Sequence, residues 1–162
     1  MHPDEPARGE APSGGAERRS AGGGGSDRSP AGVGEGVLRA RVLLVDDDQI
    51  DRMAVRRHLA NASAEIAVEE ADGVLAAIDR VTGDAFDCVV LDYNLPDGDG
   101  LTFLRGLRSA GIEVPVVMLT GQDDEEITRQ LMLSGASAYI PKSSLSPALL
   151  LTSIREAIRA RR

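Results

Sequence analysis

The sequence predicts an α/β fold, a parallel sheet of five strands with helices on both faces. Three observations predict it. Short runs of consecutive apolar residues, many of them β-branched, alternate with longer segments whose apolar residues recur three or four positions apart. The runs are apolar on successive positions rather than every second one, as expected for strands covered on both faces. The runs end on polar or Gly/Pro-containing loops, which places polar side chains at the carboxyl ends of the strands.

The elements follow in order from about Arg41. Val42-Leu43-Leu44-Val45 is the first strand and ends on Asp46, Asp47 and Asp48. A helix follows, with Asp47 or Asp48 near its N-cap; Ile50, Met53, Ala54 and His58 mark its inner stripe, which runs to about Ala62. Ile66-Ala67-Val68 is the second strand, and Val74, Leu75, Ile78 and Val81 predict a helix closing near Gly83. The third strand, Phe86 to Asp92, ends on a lone carboxylate. The loop Tyr93-Asn94-Leu95-Pro96-Asp97-Gly98-Asp99-Gly100 comes next, and Asp97 and Asp99 read as its turn and cap residues. Leu101, Leu104 and Leu107 mark a third helix ending before Gly111. Val114 to Leu119 is the fourth strand, followed by Thr120-Gly121. Asp123 to Ser134 reads as a helix with an acidic first turn, which suits its dipole, and Gly135 as its C-cap. Ala138-Tyr139-Ile140 is a short fifth strand ending at Pro141-Lys142. Pro147 then opens a last helix at its first position, with Leu150, Leu151, Ile154 and Ile158 as its stripe.

Residues 1–39 differ in kind. They hold 10 of the 18 glycines and 4 of the 8 prolines, with six acidic and five basic residues. Such a segment buries too little apolar surface to offset its ordering entropy and reads as a disordered Gly/Pro/Ser-rich tail. The organisation expected is therefore a tail over 1–39 and one domain over 40–162. A formal net charge of −8 argues against a broad nucleic-acid-binding face. Arg155, Arg159, Arg161 and Arg162 read as favourable charge at the end of a helix. The single cysteine, Cys88, lies inside an apolar run and reads as a small core residue. No apolar run reaches the ~18 residues of a membrane span, and no secretory h-region is seen, so the expected compartment is the cytoplasm.

Aligning the carboxyl ends of the strands brings Asp46, Asp47, Asp92, Thr120 and Lys142 into one layer. Each alone reads as a turn former, a cap or a solvated charge; the set does not. Clustered carboxylates repel by about 1 kcal/mol per pair even when well screened, and a hard divalent cation relieves that. Mg²⁺ suits carboxylate and phosphate oxygens; without a His or Cys cluster Zn²⁺ is disfavoured. Carboxylates, Mg²⁺, a lysine and a hydroxyl are the parts needed to hold a phosphoryl group during in-line transfer, with Asp92 as the nucleophile.

Val45-Asp46-Asp47, Leu91-Asp92-Tyr93-Asn94-Leu95-Pro96, Leu119-Thr120-Gly121 and Tyr139-Ile140-Pro141-Lys142 together resemble a response-regulator receiver domain of the chemotaxis type. The resemblance implies a flavodoxin-like doubly wound (βα)5 fold with strand order 2-1-3-4-5. It implies that Asp92 accepts a phosphoryl group from a histidine kinase or histidine phosphotransfer protein. Asp47 is then a direct Mg²⁺ ligand, helped by Asp46, Asp92 and the backbone carbonyl of Asn94. Thr120 and Lys142 meet the phosphoryl oxygens, and Thr120 with Tyr139 forms the switch. Gly121 fills the small position beside Thr120. Asn94 and Gln122 occupy positions that tune dephosphorylation. The chain departs from the family pattern in two places: Ser143 rather than Pro follows the lysine, and Gly98 stands where a larger residue is common, so a freer loop is expected there.

The function expected is that of a stand-alone receiver in a phosphorelay, signalling by a phosphorylation-dependent protein contact at the fourth helix, fifth strand and fifth helix. Its only catalysis would be its own Mg²⁺-dependent phosphorylation and dephosphorylation. The alternative is a receiver-like interaction module that is not phosphorylated. A small Mg²⁺-dependent phosphatase ranks below both, because Asn94 stands where that chemistry needs a second acid/base Asp.

Overall fold

The computed structural model describes residues 37–60, 64–121 and 124–161. The expected tail lies outside the described residues up to Gly36, as does Gln122. The strands are β1 (Leu38–Val45), β2 (Ala64–Ala71), β3 (Cys88–Asp92), β4 (Val116–Thr120) and β5 (Ala138–Pro141). They form one sheet in the order β2-β1-β3-β4-β5, parallel throughout. The helices are α1 (Gln49–Ala60), α2 (Val74–Gly83), α3 (Gly100–Ser109), α4 (Glu125–Leu133) and α5 (Pro147–Arg161). This is the doubly wound (βα)5 architecture that the resemblance implies.

β1 starts at Leu38, so the last two residues of the expected tail are paired strand: Leu38 is in register with Ala64 and Arg39 with Glu65. The Arg39 and Glu65 side chains are ion-paired at 2.8 Å. The alternation of side chains along each strand divides the core in two. Leu43, Val45, Val89 and Leu91 face Ala77, Phe103, Leu104, Leu107 and Leu131 on the side of α2, α3 and α4. Val42, Leu44, Cys88 and Val90 face Val55, Leu59, Leu150, Ile154 and Ala157 on the side of α1 and α5. β3 and β4 are buried along their whole length, which explains their unbroken apolar sequence. Cys88 is fully buried, and burial pushes its thiol up to about 12.

Two helices cover only part of the stripe expected. α1 buries Val55 and Leu59, while Ile50 is 75% exposed and Met53 is 50% exposed. α2 buries Ala77, with Val74 and Val81 half-buried and Leu75 71% exposed. Each helix carries apolar residues on more than one stripe, and only the angle at which it meets the sheet decides which stripe is covered.

The helix ends follow local chemistry. Asp48 caps α1, its Oδ1 accepting from the N–H groups of Ile50 and Asp51. Asp124 caps α4 through Glu126 and Ile127, and Asp99 caps α3 through Thr102. Gly135 has φ +103°, the left-handed C-cap conformation a glycine adopts without strain. Asp97 caps a helix other than its own. Its carboxylate accepts from Val74 N at 2.8 Å and Leu75 N at 3.1 Å and so closes the N-terminus of α2, whose N-cap residue, Gly73, has no side chain. A Cβ at Gly73 would stand 2.8 Å from Asp97 Oδ1, so only glycine admits the carboxylate. The loop after β3 is closed as well by a short antiparallel pairing of Asn94 with Asp99 and Leu95 with Gly98, and by Gly100 N donating to Tyr93 O at 2.6 Å. Gly98 thus sits in a hydrogen-bonded turn with φ +153°.

Candidate functional site

The carboxyl edge of the sheet carries the chemistry. β1 delivers Asp46, β3 Asp92 and β4 Thr120, and these are the buried polar residues of the described core. Burying a carboxylate is costly unless something compensates its charge. Asp46 Oδ1 accepts from Asp48 N at 2.9 Å, but its Oδ2 is buried without a hydrogen-bond partner. Burial, with help from the Asp92 charge, pushes the Asp46 carboxyl up to about 6, against the hydrogen bond from Asp48 and the charge of Lys142. Burial also raises the Asp92 carboxyl, and Lys142 and the Asn94 N–H, 3.3 Å from Asp92 Oδ1, offset only part of that.

Asp47 is exposed at the start of the loop after β1. One carboxylate oxygen from each of Asp46, Asp47 and Asp92 lies within 4.8 Å of the others. An all-oxygen donor set with one buried oxygen that accepts no hydrogen bond fits a hard divalent cation. Asn94, expected to add its carbonyl, follows Asp92 by two residues and is exposed.

Lys142, just past β5, reaches across the edge. Its Nζ stands 3.2 Å from Asp92 Oδ2 and 3.7 Å from Asp46 Oδ2. Burial alone would lower this ammonium; a hydrogen bond to Asp51 and the charges of Asp92 and Asp46 outweigh it and raise it to about 12. Asp51, in the first turn of α1, is the residue that sequence reasoning passed over, and its Oδ2 is only 2.7 Å from Lys142 Nζ. The available signal was its place in the first turn of the helix that opens directly after Asp46, Asp47 and Asp48.

Thr120 is buried at the end of β4 in register with Pro141. Tyr139 is in register with Met118, half-buried, and packs against the core on the α2–α4 side. A Cβ built on Gly121 meets nothing within 4 Å among the described residues, so packing does not require a glycine there.

Residues 42–155 match the family model of the response regulator receiver domain. The response regulator MprA of Mycobacterium bovis is 38% identical over 105 residues, which cover 65% of this chain and 45% of that protein. The chain therefore spans under half the length of this curated relative. A solved two-component response regulator of the LuxR family from Aurantimonas superposes with a TM-score of 0.69 at 30% identity, covering 76% of this chain and 88% of that one. A solved CheY-like receiver domain protein from Methanospirillum hungatei gives 0.66 at 28% identity, over 76% and 95%. No helix of the described residues is long and apolar enough to cross a membrane. With the family model matched over most of the chain and the acidic edge in place, the chain belongs to the response-regulator receiver family of two-component signalling.

Proposed function

We propose that Asp92 accepts a phosphoryl group from a phosphohistidine on a sensor kinase or phosphotransfer protein. The observation that carries this is the pairing of a nearly buried carboxylate with an ammonium 3.2 Å away, beside a buried acidic oxygen that accepts no hydrogen bond. An Asp92 oxygen attacks phosphorus, the P–N bond breaks, and the leaving imidazole takes a proton from solvent. Asp92 acts as its carboxylate, whose charge Lys142 favours against the cost of burial. Lys142 and the Thr120 hydroxyl then receive the phosphoryl oxygens. Asp46, Asp47, Asp92 and the Asn94 carbonyl would hold Mg²⁺, which when bound neutralises charge on the transferring group.

The signal leaves through the face of α4, β5 and α5. Thr120 and Tyr139 lie on neighbouring strands at the border of that face, and Met132 and Leu133 on α4 and Leu149 on α5 keep apolar area exposed there. Phosphorylation shifts a two-state equilibrium of this face toward a form that an output protein binds. The reaction is placed in the cytoplasm. Whether this receiver acts alone or beside an output domain does not alter the acceptor chemistry.

Incubation with an acyl phosphate and Mg²⁺ tests the reading. An acid-resistant, base-labile label that disappears in Asp92→Asn supports it; absence of label from the parent chain supports an unphosphorylated interaction module instead. Thr120→Ala is expected to keep the label and lose phosphorylation-dependent partner binding.

A further inference from the structure

Among the charged groups at the carboxyl edge that neither the cation cluster nor the acceptor chemistry uses, Asp51 is the one bonded to Lys142. Asp51 Oδ2 is 2.7 Å from Lys142 Nζ, closer than Asp92 at 3.2 Å or Asp46 at 3.7 Å. The tightest bond of the lysine therefore goes to the rim of the pocket and not to the acceptor. The Asp51 side chain is 39% exposed and that of Asp92 only 6%, so one of the two carboxylates that hold the ammonium is open to solvent and the other is in the interior. The hydrogen bond from Asp51 N to the capping Asp48 Oδ1, 3.1 Å, fixes the start of α1 and with it the reach of Asp51.

The geometry points to Asp51 as a positioning residue that holds Lys142 in the resting state and competes with the phosphoryl group for its ammonium. This rests on the acceptor reading of Asp92. An ammonium has three N–H donors, and close carboxylates already occupy it. A phosphoryl group on Asp92 brings further anionic oxygens, to which the lysine must turn at least one donor. Asp51 opposes that in two ways: it retains the lysine, and it repels the incoming anion. The Asp51–Lys142 pair is partly solvated, so the effect is the size of a surface ion pair, about two- to fivefold in an equilibrium constant. By linkage, occupation of the phosphoryl site loosens the Asp51–Lys142 pair to the same extent.

The test is calorimetric titration of the full chain with beryllofluoride, a phosphoryl mimic, in the presence of Mg²⁺. Asp51→Asn and Asp51→Ala are expected to bind about two- to fivefold more tightly than the parent, and Asp51→Glu to restore parental affinity. The ¹⁵N resonance of Lys142 Nζ is expected to move on beryllofluoride binding in the parent and to be displaced already in resting Asp51→Asn. A purely structural role would weaken binding and leave Asp51→Glu without rescue. Unchanged or weaker binding by both Asp51→Asn and Asp51→Ala, with the parent still binding, overturns the role of Asp51 and leaves the acceptor reading intact. No binding by the parent overturns both.

Discussion

Two ends of the same sheet are rich in charge and use it in opposite ways. On the amino-terminal flank, beside α2, Arg41 pairs with Glu69 at 2.5 Å, Arg80 pairs with the same Glu69, and Asp84 stands 3.6 Å from Arg80. Asp87 accepts from Arg41 N, and the Arg41 guanidinium stacks 4.6 Å from the Phe86 ring centroid. Arginine and acid alternate there, so each charge meets its opposite. At the carboxyl edge Asp46, Asp51 and Asp92 surround one ammonium, Asp47 stands beside Asp46 and Asp92, and a buried Asp46 oxygen has no hydrogen bond. The first arrangement ties elements together; the second leaves an excess of negative charge of the kind that fits a divalent cation. The degree of compensation separates a structural network from a site, because both ends are acidic in composition.

The largest expected effect is on the uncompensated edge. Mg²⁺ should stabilise the parent by linkage, about 2.7 kcal/mol at a hundred times its Kd, and Asp46→Asn should lose most of that. Thermal unfolding with and without Mg²⁺ measures it; an equal rise in Tm for both proteins would remove Asp46 from the cation site. The cation-free proteins should differ with pH as well. The folded Asp46 carboxyl lies near 6, above its ordinary 3.8, so its ionised form costs stability above pH 6. That cost falls as pH drops through 6 toward 3.8, and the parent should gain stability there relative to Asp46→Asn.

Next in size is the compensated flank. Glu69→Ala removes the carboxylate shared by Arg41 and Arg80 and should lower stability by about 1–2 kcal/mol, a value already reduced for the partial exposure of all three side chains. Its Mg²⁺ response and its phosphoryl label should match the parent. Loss of either would show that the two ends are coupled.

A smaller effect is expected where the loop after β3 meets α2. Asp97→Ala removes the cap on Val74 and Leu75 and should lower Tm by less than Glu69→Ala does. The two backbone N–H groups, the main cause, hold the Asp97 carboxyl below its ordinary range. Its stabilisation is therefore complete above the unfolded carboxylate range and is lost as pH falls through the lower folded value. A pH-independent difference between Asp97→Ala and the parent across that range would argue against the cap.

This cap also marks what could be read from sequence. The strands were legible because β3 and β4 are apolar at every position before the last, and a sheet covered on both faces demands that. Asp46, Asp92, Thr120 and Lys142 were legible as the polar ends of such runs. Asp97 was legible as a cap but not as the cap of α2, a helix that begins 23 residues before it. The Asp51–Lys142 bond spans 91 residues and exists only once the sheet has placed α1 against the end of β5. The inner stripes of α1 and α2 were read only in part, for a related reason. Ile50 and Met53 are spaced as a helical stripe, and so are Val55 and Leu59; periodicity gives the spacing, and the sheet selects the phase.

The smallest effect tests that last point at the carboxyl edge itself. Ile50 and Met53 lie on the first turns of α1, close in sequence to Asp46 and Asp51, yet both are at least half exposed. Exposed apolar side chains contribute little to folding, so Ile50→Ser and Met53→Gln should each change stability by no more than about 0.5 kcal/mol. Labelling by an acyl phosphate, which needs no protein contact at this surface, should be unaffected. A loss well beyond that in chemical denaturation would mean that this face of α1 is covered in the folded chain, and that the carboxyl edge is built for stability after all. Agreement would sharpen the contrast between the two ends: the amino-terminal flank holds its charges closed, and the carboxyl edge keeps both charge and apolar surface open.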